Sequence, residues 1–161
     1  MKFNRLSMIM AAAMALAACS QTPAETSLKD AYAESFMIGC AVNPSHTSGR
    51  LTQANELLLT HFNAISPENC LKPEAVQPRP GVWTFEEADE YVQFGEEHDM
   101  WMLGHTLVWH NQTPSFYWEN PDGTPKSREE LIETMRAHIE TVAGRYAGRI
   151  DAWDVVNEII G

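Results

Sequence analysis

Basic side chains are scarce in this sequence of 161 residues. Eleven lysines and arginines stand against 22 aspartates and glutamates, so the formal net charge is −11 at pH 7. A protein that binds nucleic acid needs positive charge to neutralise phosphates. The balance therefore argues against nucleic acid as a partner and is compatible with a neutral or weakly charged polymer.

Cysteine is also rare, with three residues in the chain. Neither Cys40 nor Cys70 has neighbours at the short spacing that a metal site needs, so the sequence predicts no metal. Outside the cytoplasm the two thiols are able to pair. Two buried free thiols are an equally good interpretation, and the sequence leaves both open.

A long apolar run is missing as well, although a short one lies near the N-terminus. Lys2 and Arg5 precede residues 6–18, which are almost all Ala, Met, Leu and Ile. A membrane-spanning helix needs about 20 such residues. Residues 1–18 are therefore predicted to be a secretory signal peptide, and no transmembrane anchor is expected.

The four residues 16–19, Leu-Ala-Ala-Cys, resemble the bacterial lipobox. This resemblance implies that Cys19 becomes the lipidated first residue of the mature chain, with residues 19–26 as the lipidated N-terminus and polar tether. An ordinary signal peptide that ends near a cysteine is the alternative. We expect an exported protein anchored to the bacterial cell envelope through Cys19, on a membrane face that the sequence does not define.

The rest of the chain alternates between predicted strands and helices, as in a parallel α/β sheet. Strands are predicted at 36–42, 62–66, 101–107 and 150–156. The helices between them are indicated by apolar residues at helical spacing and by two predicted capping boxes. The first helix has apolar residues at Leu51, Ala54, Leu57 and Leu58. In the second helix, Thr84 and Glu87 are the predicted capping box and the apolar face is Phe85, Ala88, Tyr91 and Val92. In the third helix, Ser127 and Glu130 are the capping box, the apolar face is Leu131, Met135, Ile139, Val142 and Tyr146, and Gly148 ends the helix.

Right-handed crossovers place the four strands side by side, either in a doubly wound sheet or in half of an eight-stranded barrel. Residues 39–43, at the end of the first strand, lack the glycine spacing of a dinucleotide-binding loop. The predicted fold class is therefore α/β, a (β/α)8 TIM barrel of which about the first four strands are present.

Polar and aromatic residues gather at the C-terminal ends of three predicted strands, where barrel enzymes build their active sites. They are Glu68, Asn69 and Lys72; His105, Trp109, His110 and Gln112; and Asp154, Asn157 and Glu158. Sugars suit such a set, because they offer hydroxyls to polar groups and apolar faces to indole rings. Cleavage of a glycosidic bond needs one protonated carboxyl and a second carboxylate. Glu158 suits the first role, because the nearby Trp153 and Val156 predict apolar surroundings that help it keep its proton.

Three segments in this order resemble signatures of glycoside hydrolase family 10, whose members are mainly endo-β-1,4-xylanases. They are Ser-Pro-Glu-Asn at 66–69 with Lys72, Gly-His-Thr-Leu-Val-Trp-His at 104–110, and Trp-Asp-Val-Val-Asn-Glu at 153–158. The resemblance runs from Ser27 to Gly161, so residues 27–161 are expected to be the N-terminal half of a truncated catalytic barrel. It implies endo-hydrolysis of xylan or xylo-oligosaccharides with retention of configuration.

The resemblance also implies the roles of individual residues. Glu158 corresponds to the acid/base, and Asn157 to a partner of the sugar 2-hydroxyl. Substrate-binding residues at the remaining matched positions are Glu68, Asn69, Lys72, His105, Trp109 and Gln112. Asp154 is expected to support His105 by pairing with it; that Asp154 only accepts backbone hydrogen bonds is the alternative. No cofactor is needed, because two carboxylates suffice for the chemistry.

No residue of this chain matches the family's nucleophilic glutamate, which lies on the seventh strand. We therefore expect the sequence to be part of a longer xylanase and to be inactive alone. Two other functions stay open: a non-catalytic lipoprotein that only binds glycans, and a β-1,4-glucanase. Thr-Glu-Leu-Asp-like sequence beyond Gly161 would favour the enzyme.

Overall fold

A computed structural model describes residues 26–159 of the chain. The predicted signal peptide, the lipidated Cys19 and the tether at 20–25 lie outside the described residues. Four strands form one parallel sheet in chain order. They are β1 (Gly39–Val42), β2 (Ala64–Pro67), β3 (Trp101–Val108) and β4 (Ala152–Val156). The predicted order of strands and the parallel sheet are confirmed.

Three strands begin later than predicted, the second of them at Ala64 instead of residue 62. The first was expected from residue 36, but Phe36 is 57% exposed and stacks on Tyr32 with ring centroids 4.9 Å apart. The chain has just left a short helix, α1 (Leu28–Ala31), which Ser27 caps, so it is still turning there. The fourth strand was expected from residue 150, but Ile150 still donates its N–H to Tyr146 O at the end of the preceding helix.

Helices and turns connect the strands. Their bounds are α2 (Pro44–Thr47) and α3 (Thr52–His61) after β1, α4 (Pro73–Val76) and α5 (Glu86–Glu97) after β2, and a 3-10 turn (Ser115–Tyr117) and α6 (Arg128–Arg145) after β3. The three long helices α3, α5 and α6 are the predicted ones. Among the residues described, no helix is both long and apolar enough to cross a bilayer.

One of the two predicted capping boxes is present. Ser127 Oγ accepts from the N–H of Glu130, and Glu130 Oε2 accepts from the N–H of Ser127 over 2.7 Å, so α6 starts as predicted. The box predicted for Thr84 and Glu87 was wrong. Thr84 Oγ1 instead donates to the carbonyl of Ala75, which ties the start of α5 back to α4.

The apolar faces of the helices were predicted with unequal success. In α5, Ala88, Tyr91 and Val92 are buried as expected. In α3 only Leu58 is buried, whereas Leu57 is 60% exposed, because no other element among residues 26–159 covers that side of the helix. The α6 stripe holds at Val142 and Tyr146 but not at Met135, which is exposed.

Side chains of β3 alternate between two faces of the sheet. Met102 faces α5, where it lies so close to Gly95 that a Cβ there would collide with its sulfur. Gly104 is covered by the ring of Trp153, its register partner on β4. His105 points to the opposite face, which is the face that carries the candidate site.

Cys40 and Cys70 are free thiols and form no disulfide; Cys70 is buried, as one interpretation expected of both, whereas Cys40 is only half-buried. Burial, with a smaller contribution from the charge of Glu87, raises the pKa of Cys70 to about 12. This thiol is therefore protonated at any physiological pH.

Candidate active site

The predicted site residues lie where β2, β3 and β4 end. Parallel strands in register bring these ends to one edge of the sheet. Hydrogen bonds and ring contacts join the residues after β2 to those after β3, and the residues after β3 to those of β4. The three sequence clusters therefore form one surface.

Lys72 is the most deeply buried charged group of this surface, at 8% exposure. Its ammonium donates to Asn69 Oδ1 over 2.9 Å and to Gln112 Oε1 over 2.5 Å, and it lies 4.8 Å from the centre of the Trp109 ring. Among the residues described, no carboxylate lies within 4.0 Å of Lys72 Nζ. Amide oxygens and an indole face thus hold this cation, as buried charges require polar partners.

The orientation of the Gln112 amide is set by all of its neighbours. Its oxygen accepts from Lys72, while Nε2 donates to Asn69 Oδ1 and to Glu74 Oε1, both over 3.2 Å. The Glu74 N–H also donates to the Gln112 carbonyl over 3.0 Å. Gln112 has a left-handed backbone with φ of 45°, uncommon for a residue with a side chain. Glu74, which the sequence analysis missed, therefore holds Gln112 from both ends.

His105 and Asp154 form the predicted pair. They are register partners on β3 and β4, and His105 Nδ1 lies 3.0 Å from Asp154 Oδ2. Because an ionised carboxylate only accepts, the proton of this hydrogen bond is on Nδ1 of His105. The alternative, in which Asp154 only accepts backbone hydrogen bonds, is wrong. The buried Thr106 hydroxyl adds a bond to the Asp154 carbonyl over 2.9 Å.

Trp109 links the β3 end to Glu158. Its indole N–H donates to Glu158 Oε2 over 2.8 Å, and His110 Nε2 lies 3.9 Å from the same oxygen. The His105 ring lies beside the indole, with centroids 6.2 Å apart. Thr113 Oγ1 donates to the Trp109 carbonyl over 2.8 Å, which fixes the loop that carries the indole.

Glu158 itself differs from the sequence expectation. Its side chain is 58% exposed, and Val156 is exposed too, so residues 26–159 do not form the apolar surroundings that were predicted. The reason is that β4 lies at the edge of the described sheet, with a neighbour on one side alone. Asn157 donates its backbone N–H to Val108 O over 2.9 Å. Among the described residues, its side chain makes no hydrogen bond.

Glu68 has a partner that the sequence analysis did not identify. Asn43 Nδ2, at the end of β1, donates to Glu68 Oε2 over 3.1 Å. The sequence signal was an Asn before a proline at the end of the first strand, a pattern that indicates a helix cap. A contact with Glu68 is not visible in that pattern, because it depends on how β1 and β2 pair.

These groups suit recognition of a neutral, hydroxyl-rich ligand. Carboxylates, amides, a cation and an imidazole lie along one edge, with the Trp109 indole between them. Within the described residues, no group of three or more His, Cys, Asp or Glu side chains is placed to hold a metal ion.

Comparison with a family model places residues 27–161 in Glycosyl hydrolase family 10. Endo-1,4-beta-xylanase B of Paenibacillus barcinonensis is 47% identical over 134 residues, which cover 83% of this chain and 39% of that relative. The chain thus spans about two fifths of the length of a curated relative that it matches.

Solved structures give the same result. A GH10 endoxylanase retrieved from a sugarcane soil metagenome is 45% identical with a TM-score of 0.80, over 85% of this chain and 41% of that one. A mutant protein in complex with xylotriose is 38% identical with a TM-score of 0.73, over 80% and 38% of the two chains. The parallel sheet and its helices therefore form part of a (β/α)8 barrel, as predicted.

Proposed function

The chain belongs to glycosyl hydrolase family 10, and on this premise we propose that it contributes part of the catalytic barrel of an endo-β-1,4-xylanase. The observation that carries the proposal is the contact between Trp109 and Glu158 beside the Lys72 cluster. In support of the proposal, the Glu158 carboxyl group contacts an indole ring that also lies against an ammonium group held by two amide oxygens.

In the proposed reaction, Glu158 donates its proton to the glycosidic oxygen as the bond to the leaving sugar breaks. A second carboxylate, about 5 to 5.5 Å from the first in retaining enzymes, attacks the anomeric carbon from the other face. No residue of this chain corresponds to that nucleophile, so another part of the complete barrel supplies it. Glu158, now ionised, then takes a proton from the water that releases the sugar with its configuration retained.

The remaining groups hold the sugars on the non-reducing side of the cleaved bond. His105 and Trp109 line the position of the reacting sugar, and Asn157 meets its 2-hydroxyl. The neighbouring sugar lies against Glu68, Asn69 and Lys72, with Gln112 fixing the Lys72 ammonium. The Lys72 ammonium has three protons and two amide partners, and it is thereby suited to a hydroxyl as a third.

The decisive experiment uses the complete protein that carries this chain, assayed on xylan and on carboxymethylcellulose with wild type, Glu158→Gln and a matched surface change. Glu129→Gln is the control, because Glu129 is exposed at the start of α6. We expect xylan cleavage that Glu158→Gln abolishes and the control leaves intact. Cleavage of carboxymethylcellulose in preference to xylan would favour a glucanase, and glycan binding without hydrolysis would favour a non-catalytic binder.

We further propose that the protein is anchored to the bacterial cell envelope by lipid on Cys19. The support is the lipobox-like sequence at 16–19 after an apolar segment with two basic residues. Metabolic labelling with a radioactive fatty acid should mark the wild-type protein and leave Cys19→Ser unlabelled. Labelling of both, or of neither, would contradict the anchor.

A further inference from the structure

Asn43 and Glu68 lie side by side because their strands pair in register. Val42, the last residue of β1, is the partner of Pro67, the last residue of β2. The next residue on each strand therefore reaches the same edge. The Glu68 N–H donates to Val42 O over 2.8 Å, and Asn43 Nδ2 donates to Glu68 Oε2 over 3.1 Å.

The orientation of the Asn43 side-chain amide is fixed by a hydrogen bond to its oxygen. Asn43 Oδ1 accepts from the N–H of Ser45 over 3.0 Å and caps α2, whose first residue is Pro44. The Asn43 N–H in turn donates to His46 Nδ1 over 3.3 Å. Because the amide oxygen is committed to the cap, the amide nitrogen must point away from the helix, towards Glu68.

We propose that Asn43 is a positioning residue for the sugar bound at Glu68. It holds Oε2 of the carboxylate by a charge-assisted hydrogen bond and so directs Oε1 to the sugar hydroxyls. Among the described residues, Oε1 of Glu68 has no hydrogen-bond donor, so it is available to a ligand. This inference rests on the proposed function, in which Glu68 contacts the second sugar on the non-reducing side.

Two substitutions separate the hydrogen bond from the helix cap. Serine and aspartate are both good N-caps, so Asn43→Ser and Asn43→Asp preserve α2. Serine lacks the long donor, whereas aspartate places a second negative charge beside Glu68. We expect Asn43→Asp to be the more damaging of the two if the contact with Glu68 is what matters.

The matched control is Asn55→Ser. Asn55 Nδ2 donates to the carbonyl of His46 over 2.7 Å, so it supports α2 without touching Glu68. An effect shared by Asn55→Ser and Asn43→Ser would come from a loosened α2 and would overturn the proposal.

Comparing substrates of different length distinguishes a role at the second sugar from a merely structural role, which would affect kcat/KM for both substrates equally. In the complete protein, an aryl β-xyloside fills the position of the reacting sugar alone, whereas an aryl β-xylobioside also reaches Glu68. We expect Asn43→Ser to lower kcat/KM for the xylobioside by about 3- to 10-fold through KM, and to leave the xyloside unchanged. Equal losses on both substrates would contradict a role at the second sugar.

A binding measurement tests the inference apart from the hydrolase function. In a Glu158→Gln background, calorimetry with xylotriose should show Kd increased by about 3- to 10-fold for Asn43→Ser, and by no further amount when Glu68→Ala is already present. Wild-type hydrolysis of the xylobioside reports on the proposed function. If hydrolysis fails but this coupling is found, the positioning role stands. Two results would overturn it: the same Kd with and without Asn43→Ser in the Glu158→Gln background, or no xylotriose binding at all.

Discussion

The indole nitrogen of Trp109 lies 2.8 Å from Glu158 Oε2, and no other side chain among residues 26–159 is as close to that carboxylate. The hydrogen bond fixes the position of the Glu158 carboxyl group relative to the indole ring. It also connects Glu158 to Lys72, whose ammonium lies against the same indole. In the proposed site, Trp109 is thus both a wall for the sugar and the support of the acid/base.

We predict that Trp109→Phe lowers kcat of the complete protein on xylo-oligosaccharides by about tenfold. Phenylalanine keeps an aromatic wall but has no donor, and a typical hydrogen bond contributes about 0.5 to 1.5 kcal/mol, the upper end of which is about tenfold in rate. Steady-state kinetics with the exposed Trp118→Phe as control will check this. Unchanged kcat would show that Glu158 is held by other parts of the barrel.

Asp154 provides a second prediction, because it sets the proton of His105. In Asp154→Ala the imidazole loses its Nδ1 partner and its fixed orientation, so we expect kcat/KM on xylo-oligosaccharides to fall by roughly 10- to 100-fold. Asp154→Asn keeps an oxygen near Nδ1 and should lose less. The conservative control is Asp122→Asn on the exposed loop before α6. An Asp154→Ala enzyme as active as wild type would contradict the pairing's role.

Much of the fold was predictable, because the spacing of apolar residues and the capping residues of helices are properties of short stretches of sequence. The strand order and the start of α6 at Ser127 follow from residues that are close in sequence. The missed details depend on distant partners. Thr84 looked like a helix cap but bonds to Ala75, and Phe36 looked like a strand residue but stacks on Tyr32. Nothing in the local sequence distinguishes these outcomes.

The same division applies to the site. His105 and Asp154 were paired correctly, because residues at the ends of adjacent parallel strands meet. Asn43 and Glu74 were missed, because each belongs to a turn whose polar residue also has a purely local explanation. The exposure of Glu158 was missed because burial depends on every strand that surrounds a position, and periodicity within one strand does not report it.

Tyr91 is predicted to be a main stabilising link between β2 and β3. Its buried hydroxyl lies 2.9 Å from the carbonyls of both Ile65 and Leu103, one on each strand. Tyr91→Phe leaves those carbonyls without this donor, at a cost of about 1 to 3 kcal/mol. We expect Tm of the complete protein to fall by several degrees, and that of the exposed control Tyr32→Phe to change little. Equal Tm values would exclude this role.

His138 should make stability depend on pH below neutrality. Its ring is 1% exposed, and Nδ1 lies 2.7 Å from Tyr117 Oη, which donates to Gln77 Oε1 over 2.9 Å. Nδ1 must therefore be the protonated nitrogen. Among the described residues, Nε2 has no hydrogen-bond partner, so a second proton there would be a buried charge. Burial lowers the pKa of His138 to about 4, from an ordinary value of 6.5, and outweighs the opposite effect of the nearby Leu107 carbonyl.

The sign of the effect follows from these two values. Between about pH 6.5 and 4 the unfolded chain binds a proton that the folded chain does not, so stability falls as the pH falls through this window. The loss is on the order of 3 kcal/mol across the whole window. We expect Tm of the wild-type complete protein to fall from pH 6.5 to 4 more steeply than that of His138→Gln, which has no imidazole to protonate. His98→Gln, an exposed control at the end of α5, should follow the wild type. Parallel Tm profiles for wild type and His138→Gln would mean that the imidazole takes up its proton without unfolding, and that the Tyr117 contact survives protonation.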